Sequence, residues 1–177
     1  HRLGREPVLP VAAALEVAGV AQRLLEPLQG PGVDGRLLAE LPGEGVEVVL
    51  RYKAVGSFFR RYGDYCREGQ ELPGLVEMTF KDDARNDPLV IKDALVMLGV
   101  MTAEEYDLLK EMTLKIGAIV KRELAAKGLE LYDIKFEYGR NEKGELLLID
   151  EISAGNMRCF KDGKWLQPDE VVRLMLE

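Results

Sequence analysis

A change of periodicity near residue 128 constrains the fold more than any other feature of the sequence. Apolar residues recur at helical spacing in Ala103–Lys127, and Thr102 and Glu105 form a capping-box pattern at its start. After Gly128, the segment Leu129–Tyr138 alternates between apolar and charged side chains, as in a strand with one buried face. A long helix packed against an antiparallel sheet is therefore predicted, which is an α+β fold. The expected apolar stripe of the helix consists of Leu108, Met112, Ile116, Ile119, Val120 and Leu124.

Shorter apolar segments predict the other elements of this fold. Further strands are predicted at Ala21–Leu28, Arg36–Leu41, Val46–Arg51, Leu75–Lys81 and Glu145–Ile152. Further helices are predicted at Val8–Val17, Ser57–Tyr62, Ile91–Leu98 and Pro168–Leu176.

The composition of the 177 residues narrows the chemistry. The only histidine is His1, and neither of the two serines lies in a nucleophile-elbow motif, which excludes Ser-His, Cys-His and His-metal sites. The formal charge of −7 argues against a general nucleic-acid binder, and no apolar run reaches the ~20 residues that cross a bilayer. Cys66 and Cys159 lack metal-type spacing, which favours a reduced cytoplasmic protein. Lys, Arg, Asp and Glu remain, and they suit phosphate and carboxylate substrates.

The strongest candidate for a site is a charged hairpin face. If Arg140 pairs with Glu145, then Asp150 lies opposite Lys135 on the same face as Glu137. Two carboxylates beside an ammonium group can hold Mg²⁺ together with substrate phosphates. The alternative is an antiparallel hairpin with one solvated, charged face. A shift of the register by one residue would separate the groups.

A second candidate is an anion site at Arg51–Ser57, where a basic strand end meets Gly56 and a helix start. The alternative is a basic strand end beside a capped helix. The charged segment Lys81–Pro88 is interpreted as a solvated loop by default. In the loop Asp150–Arg158, Arg158 is able to clamp a phosphate or a carboxylate.

In this order, the four segments resemble the SAICAR synthase (phosphoribosylaminoimidazole-succinocarboxamide synthase) family. The family typically shows V-V-R-N-x-A-A-G-S, F-x-K-x-D-A-x-x-D-P, D-x-K-x-E-F-G and D-E-x-S-P-D-x-x-R. The corresponding segments here are VLRYKAVGS at Val49–Ser57, FKDDARNDP at Phe80–Pro88, DIKFEYG at Asp133–Gly139 and DEISAGNMR at Asp150–Arg158. The similarity extends over about Val17–Arg173, with the spacing between motifs kept.

The resemblance implies a cytoplasmic ligase of de novo purine biosynthesis that uses ATP and Mg²⁺. It would join carboxyaminoimidazole ribotide to L-aspartate and release SAICAR, ADP and phosphate. Its partners would be these small molecules, with neither nucleic acid nor membrane, and a homo-oligomer is left open because related enzymes commonly self-associate. The implied architecture has an ATP-grasp or kinase-like nucleotide cleft. Residues 1–50 would form the remainder of the nucleotide-binding lobe and hinge, and residues 51–177 the substrate- and metal-binding catalytic domain.

The resemblance also assigns roles to residues that match the family motifs. Substrate binding is assigned to Arg51, Ser57, Lys81, Asp87 and Arg158. Nucleotide binding is assigned to Leu41, Glu47 and Lys135, the first two lying in the segment that matches the adenine-contacting hinge. Mg²⁺ is assigned to Glu137 and Asp150, and catalysis to Lys135 and Asp133.

Departures from the family pattern motivate two other hypotheses. Gly155 replaces the usual Asp, Ala154 the Pro and Tyr52 the Asn, which suggests a diverged ATP-dependent amide ligase with another substrate pair. The family's glycine-rich, Lys-containing opening strand is not visible before His1. A chain that lacks this segment is expected to bind nucleotide poorly, which suggests a non-catalytic homologue.

Overall fold

The computed structural model describes residues 45–140 and 144–177 of the chain. The predicted helix Val8–Val17, the predicted strands Ala21–Leu28 and Arg36–Leu41, and the nucleotide-site candidate Leu41 lie outside the described residues. The proposed division at residue 50 falls within a strand, and most of its first unit is outside the described ranges, so this division stays a prediction.

The described residues form seven strands and four α-helices. The strands are β1 (Val46–Lys53), β2 (Glu71–Phe80), β3 (Leu89–Val90), β4 (Glu130–Arg140), β5 (Leu146–Leu148), β6 (Met157–Lys161) and β7 (Lys164–Trp165). The helices are α1 (Gly56–Tyr62), α2 (Lys92–Met97), α3 (Ala103–Ala126) and α4 (Pro168–Leu176). Short 3₁₀ turns lie at Asp83–Arg85 and Ala154–Asn156. None of the helices in these ranges is long and apolar enough to cross a membrane.

All seven strands belong to one antiparallel sheet, which confirms the predicted fold class. The strand order is β3-β2-β1-β4-β6-β7, with β5 also paired to β4. The two-residue strands β3 and β7 form the edges. The longest strands, β1, β2 and β4, are therefore neighbours at the centre, where one face can be buried while the other carries polar groups.

Helix α3 begins with the predicted capping box. The Thr102 hydroxyl accepts from the backbone N–H of Glu105 at 3.1 Å, and the Glu105 carboxylate accepts from the N–H of Thr102 at 2.8 Å. The helix ends at Ala126, and Gly128 has a φ of 71°, which glycine adopts at little cost. Both ends therefore follow from local sequence signals.

The buried stripe of α3 differs from the predicted one. Leu108 was expected to be buried and is 46% exposed, whereas Leu109 is 1% exposed. The buried residues are Leu109, Met112, Thr113, Ile116, Gly117, Val120 and Leu124. A Cβ at Gly117 would lie 2.0 Å from Leu50 Cδ2, so α3 approaches β1 where it has no side chain. The stripe includes Gly117 and Thr113, which a search for apolar residues overlooks.

The predicted hairpin register is wrong by one residue. Arg140 pairs with Leu146 rather than with Glu145, and β5 ends at Leu148 rather than at Ile152. In this register Leu146 and Leu148 share the face of Tyr138 and pack against the core. The predicted register would have turned both leucines away from that core and placed Leu147 on the face of Tyr138, whereas Leu147 is buried on the opposite face in the structure.

Strands β6 and β7 follow the segment that was interpreted as a loop, and the sequence analysis missed them. Asp133 pairs with Arg158 across β4 and β6, after an irregularity next to Leu131. Cys159 of β6 is fully buried in the hydrophobic core. The pairing matters for the site, because it brings Arg158 beside β4.

Candidate active site

One face of β1, β2 and β4 carries the polar residues. Residues that pair across antiparallel strands project to the same side of the sheet, so the register places the side chains in three rows. The rows are Thr79–Glu47–Glu137, Glu77–Val49–Lys135 and Leu75–Arg51–Asp133. The intervening residues, such as Leu50, Met78 and Ile134, lie in the core on the opposite face. The alternation predicted for β4 is confirmed from Asp133 to Tyr138, whereas the irregularity before Asp133 places Leu131 rather than Tyr132 in the core.

Two groups of charged side chains lie on this polar face. We call the first the arginine cluster, which comprises Arg51, Arg61, Glu77, Asp133 and Arg158. We call the second the lysine cluster, which comprises Glu47, Lys81, Lys135, Glu137 and Asp150.

Arg51 is at the centre of the arginine cluster, with 2% of its surface exposed. Its Nε donates to Glu77 at 2.6 Å, its Nη1 to Asp133 at 3.0 Å, and its Nη2 to the Ser57 hydroxyl at 2.7 Å. Each guanidinium nitrogen thus has a different partner, as a buried cation requires. Arg51 and Ser57, both assigned to substrate binding from the sequence, are brought into direct contact.

Asp133 joins Arg51 to Arg158. Its Oδ2 accepts from Arg51 and also from Arg158 Nη1 at 3.2 Å. Burial raises the pKa of the Asp133 carboxyl above its usual range, although the charges of Arg158 and Arg51 oppose this shift. The Arg158 side chain is 37% exposed, so it can meet a ligand from the solvent side.

Gly56 provides the space that the Arg158 guanidinium occupies. A Cβ at this position would lie 1.8 Å from Arg158 Nη1 and 2.5 Å from its central carbon. Gly56 also has a φ of 56°, a conformation that side chains disfavour. The sequence predicts that another group approaches the backbone closely at Gly56. In the structure, this group is the Arg158 guanidinium.

In the lysine cluster, carboxylates surround the Lys135 ammonium. Its Nζ is 2.8 Å from a Glu47 oxygen and 3.7 Å from a Glu137 oxygen. Burial lowers the pKa of Lys135, but the hydrogen bond to Glu47 and the charges of Glu137 and Asp150 outweigh it and raise the pKa above its ordinary value. Lys135 therefore remains a cation. Lys81 donates to both oxygens of Glu137, at 3.1 and 3.2 Å.

Asp150 lies in the loop after β5, from which its charge stabilises the Lys135 ammonium although the predicted hairpin register is wrong. Because β5 ends at Leu148, the side chain of Asp150 does not have to follow the strand alternation. Its oxygens accept from the backbone N–H of Glu151 at 2.9 Å and from Asn156 Nδ2 at 3.1 Å. Asn156 also donates to the Glu151 carbonyl at 2.9 Å, which closes the loop on itself.

A cavity of about 250 Å³ opens on the polar face. Its charged and hydroxyl lining consists of Glu47, Arg51, Ser57, Asp133, Lys135 and Arg158. All six were candidate site residues in the sequence analysis. The loop Gly155–Met157 forms another part of its wall.

The remaining candidates among the described residues lie outside the lining, and they are Lys81, Asp87, Glu137 and Asp150. Glu137 and Lys81 are joined to the cavity through Lys135. Asp87 accepts from the backbone N–H of Asp82 at 2.9 Å, so its observed contact caps its own loop.

Three residues that contact the site were missed from the sequence. Arg61 donates to both Glu77 oxygens at 2.6 Å, and Asn156 holds Asp150. Glu77 had a detectable signal, because it is the only charged residue in the apolar run LVEMTF at Leu75–Phe80. Arg61 had none, since its neighbours in sequence are ordinary surface residues, whereas Asn156 lies in the loop Asp150–Arg158, which the motifs identify without giving Asn156 a role.

Comparison with known proteins agrees with the resemblance inferred from the motifs. A phosphoribosylaminoimidazole-succinocarboxamide synthase from Clostridium tetani is 57% identical over 132 residues, which make up 74% of this chain and 58% of the relative. The chain spans a little over half the length of the first curated relatives that it matches.

Solved structures give the same result. A structural-genomics SAICAR synthetase superposes with a TM-score of 0.72 at 31% identity, covering 97% of this chain and 91% of the other. A SAICAR synthetase (Type-2) in complex with ADP gives a TM-score of 0.71 at 28% identity, covering 92% and 76%. A family model described as SAICAR synthetase matches residues 13–172. The chain belongs to the SAICAR synthetase family.

Proposed function

We propose that this chain carries the ribotide- and Mg²⁺-binding part of an ATP-dependent ligase that joins carboxyaminoimidazole ribotide to L-aspartate. The supporting observation is the cavity itself, which is lined by the guanidinium groups of Arg51 and Arg158 and by the Lys135 ammonium, whose charge Glu47, Glu137 and Asp150 stabilise. A phosphorylated substrate that must also meet Mg-ATP needs both kinds of surface. A relative bears the name of this activity, and a structural neighbour was solved with ADP.

The arginine cluster supports binding of the ribotide phosphate. Its three guanidinium groups and two carboxylates give a formal charge of about +1, which favours an anion. Arg158 is exposed enough to donate directly, and the Ser57 hydroxyl faces the cavity. Arg51 keeps Ser57 in place from beneath. The resemblance assigns Asp133 to catalysis. Because Asp133 accepts hydrogen bonds from both Arg51 and Arg158, the role that its contacts favour is to align these two guanidinium groups.

The lysine cluster fits Mg²⁺ in its donor chemistry. Glu137 and Asp150 supply the hard oxygen ligands that this ion prefers. The described residues hold no group of three or more metal-binding side chains, so substrate oxygens would complete the coordination, as is usual for Mg²⁺ at phosphate sites. Bound Mg²⁺ would neutralise and orient the phosphates of the nucleotide. We assign Glu137 and Asp150 to the ion and Lys81 to positioning Glu137.

Lys135 is placed to bind the nucleotide phosphates. It lines the cavity and remains protonated because Glu47, Glu137 and Asp150 stabilise its charge. In the proposed reaction, the terminal phosphoryl group of ATP passes to the ribotide carboxylate and leaves ADP. The aspartate amine then attacks the acyl phosphate, an amide forms, and phosphate and a proton depart. A cation beside the transferring group would stabilise its negative charge.

A cytoplasmic location is proposed with this function. Both cysteines are free thiols, Cys66 half-buried and Cys159 buried, as is typical of a reducing compartment.

Gly155 supports a second candidate, a ligase that uses another amine or carboxylate. It replaces the Asp of the family pattern in the cavity wall, and the neighbouring Asn156 cannot substitute fully because its amide oxygen can accept a hydrogen bond but carries no negative charge. A Cβ at Gly155 would meet Ser153 Oγ at an ordinary 3.6 Å, so Gly155→Asp should be accommodated.

The test is ADP release by the full-length protein with carboxyaminoimidazole ribotide and a panel of amines. Activity with aspartate supports the proposed function, and the Gly155→Asp variant then measures what the missing carboxylate contributes. Activity confined to another amine would favour the diverged ligase. Absence of activity with every pair, in a folded protein, would favour a non-catalytic homologue.

A further inference from the structure

Helix α1 is attached to the sheet mainly through charged and polar side chains. None of the seven residues of α1 is fully buried, and its aromatic side chains, Phe58, Phe59 and Tyr62, are only partly covered. Its first turn is fixed by the bond between Ser57 and Arg51, and its last turn by the bonds between Arg61 and Glu77. The same helix carries Gly56, against which the Arg158 guanidinium lies.

Both attachments depend on the carboxylate of Glu77. This side chain is 6% exposed and accepts from Arg51 Nε and from Arg61 Nη2, in each case at 2.6 Å. Glu77 therefore fixes a strand arginine and a helix arginine at the same time. Removal of one partner from a buried ion pair is destabilising, and with a neutral Glu77 the Arg51 guanidinium would keep only Asp133 as a charged partner, so its orientation would be less well fixed.

The effect of Glu77 extends to groups that it does not touch. Arg51 orients the Ser57 hydroxyl and the Asp133 carboxylate, and Asp133 in turn orients Arg158. Glu77 lies outside the cavity lining, whereas Ser57 and Arg158 lie within it. An anion in the cavity would thus meet the donors of Ser57 and Arg158, whose orientation depends on Glu77 beneath them.

We propose that Glu77 is a positioning residue that holds Ser57 and Arg158 in the geometry needed to bind the phosphate of the ribotide. This inference rests on the proposed function. It assigns to Glu77 no contact with substrate and no part in phosphoryl transfer. If Glu77 has this role, its substitution should lower the affinity for the phosphate group and leave the affinity for the rest of the substrate unchanged.

The experiment compares two ligands, carboxyaminoimidazole ribotide and the corresponding nucleoside without the phosphate. Calorimetric titration of the full-length protein gives the ratio of their affinities, which isolates the contribution of the phosphate. In Glu77→Gln, which keeps the size but removes the charge, we expect this ratio to fall about tenfold or more. Affinity for the nucleoside and the KM for ATP should change by less than about twofold, because the groups that face them are untouched.

Two further variants keep the test decisive. Arg61→Ala removes only the helix attachment from a partly exposed side chain, so it should fold even if Glu77→Gln does not, and it should lower the ratio by a smaller factor. Glu105→Gln is the matched control, because Glu105 also pairs with an arginine, Arg140, at 2.7 and 2.9 Å, but away from the cavity. It should leave the ratio unchanged.

The outcomes separate the two claims. A wild-type protein that binds neither ligand refutes the proposed function and this inference with it. A wild-type protein that prefers the ribotide, combined with unchanged ratios in folded Glu77→Gln and Arg61→Ala, refutes the positioning role alone. An equal fall for the nucleoside and the ribotide would also refute it, because general disruption of the site would explain the loss.

Discussion

The two faces of strands β1, β2 and β4 are held together by different interactions. On the core face, side chains such as Leu50 and Phe136 are buried against α3, and each contributes about 1.5–3 kcal/mol through burial of apolar surface. On the polar face, Arg51, Glu77 and Asp133 are between 2% and 7% exposed and bond to one another. Buried ion pairs contribute little net stability compared with apolar residues of similar volume.

The comparison extends to the helices on the two faces. Helix α3 has seven buried residues, whereas α1 has none and is attached through Ser57 and Arg61. Stability alone would favour apolar packing on both faces. The polar face is therefore best explained by the ligands that it is arranged to bind, and substitutions on the two faces should affect different measurements.

The largest effect is expected for Asp150→Asn. Removal of a proposed Mg²⁺ ligand charge should lower turnover more than about 100-fold, since even residues that only orient metal ligands contribute 10- to 100-fold. The free energy of unfolding should change by no more than about 1–2 kcal/mol, because the carbonyl oxygen of Asn can still accept from the backbone N–H of Glu151, and only the bond from Asn156 is lost. Turnover at saturating Mg²⁺ and denaturant unfolding check the two parts. The adjacent exposed Glu151→Gln is the control, and an equal loss there would remove the special role of Asp150.

On the core face, Ile116→Ala should lower the stability and leave the activity nearly unchanged, which is the reverse of the effect expected for Asp150→Asn. Ile116 is 1% exposed, so the cavity left by truncation should cost about 2–5 kcal/mol of unfolding free energy. Activity per folded molecule should stay within about twofold, because the side chain lies on the far side of the sheet from the cavity. Urea unfolding and the specific activity of the folded fraction measure both. A large loss of specific activity without loss of stability would show that the two faces are not separate.

Gly56→Ala should have an intermediate effect, and it acts at the polar face through sterics alone. The added methyl group would displace the Arg158 guanidinium and strain a backbone with positive φ. We expect affinity for the ribotide to fall about tenfold, with a loss of about 1–3 kcal/mol in stability. Titration with ribotide and nucleoside is the measurement. Equal weakening of both ligands would mean that Arg158 does not contact the phosphate.

The smallest effect is expected for the Glu105–Arg140 pair. The hydrogen bond from Arg140 lowers the pKa of Glu105, despite the opposing effect of burial, so ionised Glu105 stabilises the folded state. Its contribution, about 1 kcal/mol, should be complete above the ordinary pKa of 4.5 and disappear as the pH falls through the lowered value. In Glu105→Gln, which retains the capping geometry, stability should depend less on pH in this acidic range. Unfolding curves between pH 3 and 7 test this, and parallel pH profiles would contradict it.

Much of the fold was predictable where local signals act alone. The capping box at Thr102 and the glycine at 128 define the ends of α3, and the alternation in β4 assigns Asp133, Lys135 and Glu137 to one face. The cavity lining was also anticipated in large part, because motif order along the chain identified Arg51, Ser57 and Arg158 together. The roles assigned to these residues remain predictions.

Other features depend on partners that are distant in sequence. The register of β5 depends on which of its three leucines pack against the main core, and the buried stripe of α3 depends on the close approach at Gly117. The hydrogen bonds of Glu77 with Arg51 and Arg61, and of Arg51 with Asp133, join residues that are 16 to 82 positions apart in the sequence. No pattern within one segment can reveal such contacts.

The sequence by itself determined the family, the long capped helix, the alternating strand and the types of charged group available. Periodicity and capping depend on neighbours within a few residues, and they act wherever the chain folds. Only the tertiary structure decided which carboxylate holds which arginine, and that the charge of Asp150 acts on Lys135 from a loop. The physical reason is that a buried charge requires a partner, and the partner is supplied by whichever strand or helix the packing of the apolar face brings alongside.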